Sequence, residues 1–151
     1  MTDLFPSCLE KQRRIKESFF ACLSAEAKYE KIIQLGRAQT PLDAVHKIPD
    51  NLVSGCQSQM YLHAYLSDDK IIFETSSDAL ISAGLAALLT QVYSEEHPEA
   101  ILKCPPTYLD ELGITASLTP NRANGLYSLH LRMKQEALKL IVQRDKGQTI
   151  R

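Results

Sequence analysis

The segment Asn51-Leu52-Val53-Ser54-Gly55-Cys56-Gln57-Ser58-Gln59-Met60 puts a cysteine where neither of its common structural roles fits. A packing cysteine sits inside an apolar pattern, and a metal-ligating one has a second Cys or His roughly two to five residues away. Cys56 instead follows a glycine, precedes three polar residues and stands just ahead of an apolar run. The chemistry such a residue offers is nucleophilic attack by its thiolate, governed by pKa and access. Gly55 lets the backbone turn sharply or lets another chain come close. Gln57, Ser58 and Gln59 can donate hydrogen bonds to a sulfur anion without competing as nucleophiles. The alternative role is a small hydrophobe capping a sheet, and the Gly-Cys-Gln-Ser-Gln setting favours the reactive one.

The other chemistry-bearing residues form no recognisable constellation. Cys8, Cys22 and Cys104 make no Cys-x-x-Cys pair with anything, which argues against a zinc ribbon or a thioredoxin-type site. Cys8 and Cys22 are expected near one face of the first helix and Cys104 in a Lys-Cys-Pro-Pro loop, all four cysteines being free thiols. A cysteine hydrolase needs a base, and His46, His63, His97 and His130 are the candidates, none in a setting that marks it. The six glycines form no phosphate-binding loop.

The elements that must position Cys56 follow from length, composition and period. The 151 residues are 44% hydrophobic and 23% charged, as expected of one globular domain over 1–151. A net charge of −1 supplies no field for nucleic acid. No apolar stretch approaches the roughly 20 residues of a membrane span. Charges in Met1-Thr2-Asp3-Leu4 through Phe20 interrupt any leader-like segment, so the chain is expected in the cytosol.

Periodicity predicts a first helix from about Thr2 to Cys22, its start delayed by Pro6. A second follows at 24–36, with Ser24 as cap, Tyr29, Ile32 and Ile33 on the core face and Gly36 at the exit. Residues 37–51 read as a connecting loop. After Cys56 the period becomes two: Met60, Leu62, Ala64 and Leu66 face one way, Tyr61, His63 and Tyr65 the other. Ser67-Asp68-Asp69-Lys70 makes the turn of a β-hairpin, and the segment ahead of Cys56 adds a short third strand. A buried helix capped by Ser77 or Asp78 runs from Ala79 to Tyr93, and a short one spans Pro105 to Leu112. Thr119 and Pro120 open a long helix whose buried stripe is Leu126, Leu129, Met133, Ala137 and Leu140. Residues 144–151 are expected to fray. The order, without βαβ alternation, predicts an α+β fold in which a small antiparallel sheet of about three strands packs against several helices.

Four separated blocks carry a family resemblance: YEKIIQLG (29–36), NLVSGCQSQMY (51–61), SSDALISAGLAALL (76–89) and LTPNRANGL (118–126). In order and spacing they resemble the SufE family of sulfur-acceptor proteins in iron–sulfur cluster biogenesis. The resemblance implies an α+β fold shared with IscU-type scaffolds and a persulfide intermediate on Cys56, carried at a loop tip and tucked toward an apolar pocket. It implies an accessory protein rather than an independent enzyme, which stimulates a SufS-like cysteine desulfurase and hands its sulfur to a SufBCD-like scaffold. Pyridoxal phosphate then belongs to the desulfurase, and this chain needs no cofactor or metal. A partner-binding surface is implied around Gly55, Gln57, Ser58 and Gln59, with Asp78 and Arg122 at its edge. From the residues alone, Asp78 is equally a helix cap and Arg122 a first-turn surface charge. The chain departs from the family in having Tyr61 where many relatives have tryptophan, and in its first thirty residues, which match poorly.

Three other readings remain open at the level of sequence. A cluster scaffold of the same fold would need about three converging cysteines, of which only Cys56 and Cys104 are candidates. A pure activator would bind the desulfurase with Cys56 merely packed. A redox-sensing protein would oxidise Cys56 in preference to loading it with sulfur.

Overall fold

The computed structural model describes residues 5–56 and 58–150, the side chains of Ser117 and of 148–150 excepted. Pro6 opens helix α1 (Pro6–Ser18), where its fixed φ suits a first turn and its missing N–H leaves nothing unsatisfied. The helix is shorter than the sequence predicts, because Phe19 turns its ring into the core and the chain leaves the helical path there. Cys22 therefore lies beyond the helix and shares no face with Cys8. Residues 1–4 of the expected helix lie outside the described residues.

Helix α2 (Ala25–Arg37) begins as predicted, with Ser24 Oγ accepting from the Ala27 amide at 3.1 Å and Glu26 in the first turn. Gly36 is not its exit. The helix continues to Arg37, and a Cβ on Gly36 would lie 2.6 Å from the Gly84 nitrogen. This glycine exists for close approach: α2 crosses the central helix backbone to backbone, and a Cβ on Gly84 would fall 2.0 Å from the Ile32 carbonyl oxygen. Two short 3₁₀ turns, Ala44–His46 and Pro49–Asn51, then carry the chain to the hairpin.

Strands β1 (Met60–Ser67) and β2 (Lys70–Ser77) pair antiparallel, with Met60 opposite Ser77 and Ser67 opposite Lys70. Asp68 and Asp69 take φ of 51° and 63°. Two successive left-handed residues are what a two-residue hairpin turn needs to match strand twist, and short polar Asp tolerates that region. Met60, Leu62, Ile71 and Phe73 are buried while Tyr65 and Ser67 are exposed, as period two requires. The predicted third strand is absent among the described residues. Only Leu52 bridges Tyr61, with Val53 N donating to Met60 O at 2.8 Å, because the positive φ of Gly55 bends the chain away before a ladder can extend. The outer edge of β2 is closed in a similar way, by Ile71 pairing with Glu96.

Helix α3 (Leu80–Tyr93) is the centre of the molecule and packs against α1, α2, β2 and the last helix. Its run from Gly84 to Thr90 is buried on every side. Neither expected cap serves it: Ala79 occupies the cap position, Ser77 Oγ accepts from the Ala79 amide at 3.2 Å, and Asp78 faces another partner. Helices α4 (Glu99–Lys103), α5 (Thr107–Glu111) and α6 (Ile114–Ser117) follow, α5 filling the place of the predicted short helix. The buried Tyr93 and Tyr108 hydroxyls donate to Cys104 O at 2.5 Å and Leu88 O at 2.8 Å, so neither polar tip is left unsatisfied.

Helix α7 (Pro120–Ile150) starts as predicted, Thr119 Oγ1 accepting from the Arg122 amide at 3.4 Å. Leu126, Leu129, Met133 and Ala137 are buried along it. Where the sequence suggests fraying over 144–151, the helix runs on to Ile150, with Arg144 paired to Asp69 at 3.0 Å and Glu99 at 2.9 Å, and residue 151 lies outside the described residues. The result is an α+β fold with a two-stranded antiparallel sheet packed against helices. Among the described residues no helix is long and apolar enough to cross a membrane.

Candidate functional site

The loop between the 3₁₀ turn at 49–51 and β1 is pinned at both ends. At its start, Arg132 of α7 donates to Leu52 O at 2.9 Å and to Asp50 O. At its finish, Gln59 N donates to Asp78 Oδ1 at 3.0 Å, and Asp78 N returns a bond to Gln59 O at 3.3 Å. Asp78 is thus neither a helix cap nor a bystander: its carboxylate holds the loop that carries the cysteine.

Within the loop Gly55 has φ +90°, and a Cβ there would lie 2.4 Å from Ser128 Oγ on α7. Both facts require glycine, one for the turn and one for the approach. Cys56 follows, half-buried, with Sγ 3.6 Å from the Gly125 carbonyl oxygen of α7. That distance suits a thiol donating to a carbonyl. Burial pushes the Cys56 thiol above its ordinary pKa. Ser58 Oγ bonds Ser82 Oγ of α3 at 3.1 Å and receives Ser77 Oγ at 3.4 Å, completing a hydroxyl string beside the cysteine.

Cys56 opens on a cavity of about 170 Å³ between α3 and α7. Met60, Ile81, Leu85, Leu126 and Leu129 make its apolar floor, and Ser58, Ser82, Asn121 and Arg122 its polar side. Arg122 and Asn121 belong to the first turn of α7, where the helix dipole also favours negative charge. One wall is therefore dry and the other attracts an anion.

Gly55, Cys56, Ser58, Gln59, Asp78 and Arg122, dispersed in the chain, meet at this site; Gln57 lies outside the described residues. Sequence reasoning missed Gly125, Ser82 and Ser128. Ser82 had a signal, as a polar residue early in an otherwise apolar helix, and Gly125 lies in the LTPNRANGL block. Ser128 had none, since it matters only through what Gly55 brings against it.

None of the four histidines lines the cavity, and neither do Cys8, Cys22 or Cys104. His46 and His63 stack on each other at 3.7 Å between ring centroids, and burial, followed by the His46 charge, lowers the His63 pKa. His130 packs at 6.2 Å from Tyr93. Cys8 and Cys104 are buried together elsewhere. Among the described residues no group of three or more His, Cys, Asp or Glu is arranged to hold a metal ion.

Fold and site together define a class: a small α+β protein presenting one half-buried thiol, on a loop bent at a glycine, over a cavity with an apolar floor and a polar, cationic side. Comparison with known proteins gives it a family. Residues 13–137 match the SufE domain, described as an Fe-S metabolism associated domain, and the chain belongs to the SufE family. It is 35% identical over 134 residues to SufE-like protein 1, chloroplastic/mitochondrial, of Arabidopsis thaliana. That alignment takes in 88% of this chain but only 36% of the longer plant protein. An uncharacterized SufE-like protein of Synechocystis is 33% identical over 135 residues, covering 89% of this chain and 85% of its own. A solution structure of a hypothetical protein from Thermus thermophilus shares the fold, with a TM-score of 0.73 over 87% of this chain and 96% of that one, at 24% identity. Family membership places the chain in iron–sulfur metabolism.

Proposed function

We propose that this chain is a sulfur carrier whose acceptor atom is Cys56 Sγ. The donor is the persulfide of a pyridoxal-phosphate cysteine desulfurase of the SufS type. The Cys56 thiolate attacks the outer sulfur of that persulfide, the new S–S bond forms on Cys56, the old one breaks, and the donor cysteine leaves as thiolate. No group in this chain need act as base, metal or electron source. A scaffold of the SufBCD type, in the cytosol, then takes the sulfur by the same exchange. Pyridoxal phosphate stays with the desulfurase, and this chain works as its accessory.

One observation carries the reading: Cys56 is a lone thiol on a loop held by reversible contacts, over a cavity larger than the thiol alone occupies. Burial disfavours the thiolate in the retracted position, so attack is favoured when the loop swings out on Gly55. A persulfide is a stronger acid than a thiol and would carry its charge on the outer sulfur, where Arg122, Asn121 and the start of α7 favour it. The apolar floor keeps competing thiols away.

Intact-mass measurement after mixing the protein with a cysteine desulfurase and free cysteine, without reductant, tests this. Wild type should gain the mass of a sulfur atom, removable by a thiol reductant, and Cys56→Ser should not. Equal gain by both, or by neither, ends the carrier reading. Undiminished stimulation of the desulfurase by Cys56→Ser would make the chain an activator by binding alone.

A further inference from the structure

Two of the remaining thiols are neighbours although 8 and 104 stand far apart in sequence. Cys8 lies on α1, fully buried, and Cys104 directly follows α4 with 6% of its surface exposed. Gln12, one turn along α1, brings its Nε2 to 3.9 Å from Cys8 Sγ and 3.5 Å from Cys104 Sγ. The two sulfurs thus approach one and the same side-chain nitrogen, and burial together with the neighbouring Cys104 pushes the Cys8 thiol well above its ordinary pKa. The backbone at Cys104 is held on both sides: Tyr93 OH donates to Cys104 O at 2.5 Å, and Gln12 Nε2 donates to Pro105 O at 3.3 Å. Core packing at these points asks only for small apolar groups, which alanine or valine would supply without a reactive sulfur.

We propose that Cys8 and Cys104 form a dithiol site that closes to a disulfide under peroxide, tying α1 to the segment ahead of α5. The sulfur of Cys104, the less buried of the two, takes an oxygen from hydrogen peroxide; the S–O bond forms, the O–O bond breaks and one water leaves. The sulfur of Cys8 then attacks that of Cys104. The S–S bond forms, the S–O bond breaks, and the departing hydroxide takes the Cys8 proton as a second water. Two electrons pass from the sulfur pair to the peroxide. Closure is slow compared with an exposed thiol, because a buried sulfur is seldom thiolate and seldom reached. A bridge across so long a stretch constrains the unfolded chain and keeps α1 docked. The site is independent of the carrier role of Cys56, whose cavity neither sulfur lines.

The test uses the full chain carrying Cys22→Ser and Cys56→Ser, beside wild type, treated with hydrogen peroxide, unfolded in an alkylating reagent and digested. Both proteins should yield one chain in which the peptides bearing Cys8 and Cys104 are linked. Both thiols should be lost to alkylation, with a thermal midpoint raised by several degrees, all reversed by a dithiol reductant. Two alkylatable thiols left in the double variant after treatment, oxygen added to the sulfur of Cys8 or Cys104 without the link, or a link between separate chains would each overturn the proposal.

Discussion

The Sγ of Cys56 lies 3.6 Å from the carbonyl oxygen of Gly125, one residue before the buried Leu126 of α7. A protonated thiol can donate across that distance, and a thiolate cannot: it would meet the carbonyl as negative against negative. The retracted position thus belongs to the neutral thiol, and a change of charge at sulfur is itself a force on the loop. Burial, which raises the thiol pKa, acts in the same direction.

Asp78 should control how often the loop opens. Its Oδ1 accepts from Gln59 N at 3.0 Å in an exposed setting, a charge-assisted bond contributing about 1 kcal/mol. Asp78→Ala should speed alkylation of Cys56 about five-fold and lower the midpoint of its pH profile toward that of an ordinary thiol, with global stability nearly unchanged. An unaltered alkylation rate would show that Asp78 does not hold the loop.

Gly55→Ala should dislodge the same loop by a different route. The new methyl meets Ser128 Oγ at 2.4 Å, and φ of +90° is unfavourable for any L side chain, for a local cost of about 1–3 kcal/mol. Adding Ser128→Gly relieves the contact but not the φ. Retraction, read as protection of Cys56 from alkylation, should therefore recover only in part in the double variant.

Gly84→Ala tests the core. A methyl there falls 2.0 Å from the Ile32 carbonyl oxygen, a backbone atom that cannot step aside without moving α2. The cost should exceed about 3 kcal/mol, seen as a thermal midpoint lower by roughly 10 °C or as insoluble protein. Gly147→Ala is the contrast, since its methyl meets nothing within 4 Å and should add about 0.5–1 kcal/mol of helix stability.

His130 should make the fold acid-sensitive. Its Nε2 is buried without a hydrogen-bond partner, and burial, with the Lys134 charge, lowers its pKa from 6.5 to about 4. The unfolded chain takes up the proton near the higher value and the folded chain only near the lower. Stability is therefore unaffected above the window, falls as pH drops through it, and levels off below it. Discounted for the partial exposure of the ring, the loss is about 2 kcal/mol. Urea titrations at about pH 7 and about pH 4.5 should show it in wild type and a clearly smaller difference in His130→Gln.

Local chemistry made much of this legible. Pro6, Ser24 and the Thr119–Pro120 pair mark helix starts because capping depends on one side chain and the few amides beside it. The hairpin and its turn follow from period two and a pair of aspartates, and the Gly-Cys-Gln-Ser-Gln segment announces its thiol by the absence of any structural reason for one. Family and fold class were also within reach of the sequence, since the four blocks keep their order and spacing.

What the sequence could not show depends on which distant segments touch. Gly36 looks like a helix exit and is a crossing point, because only the approach of Gly84 decides that. Asp78 looks like a cap and holds the cysteine loop, because its choice between the α3 amides and Gln59 N is made by where β1 begins. The third strand was lost to a single left-handed residue at Gly55, and α7 reaches Ile150 past the point where Arg144 meets Asp69 and Glu99. Cys8 and Cys104 are far apart along the chain and meet only because α1 docks beside the end of α4. Propensity and period act over a few residues, whereas burial and contact are properties of the assembled core, so the elements could be read in one dimension and their meetings only in three.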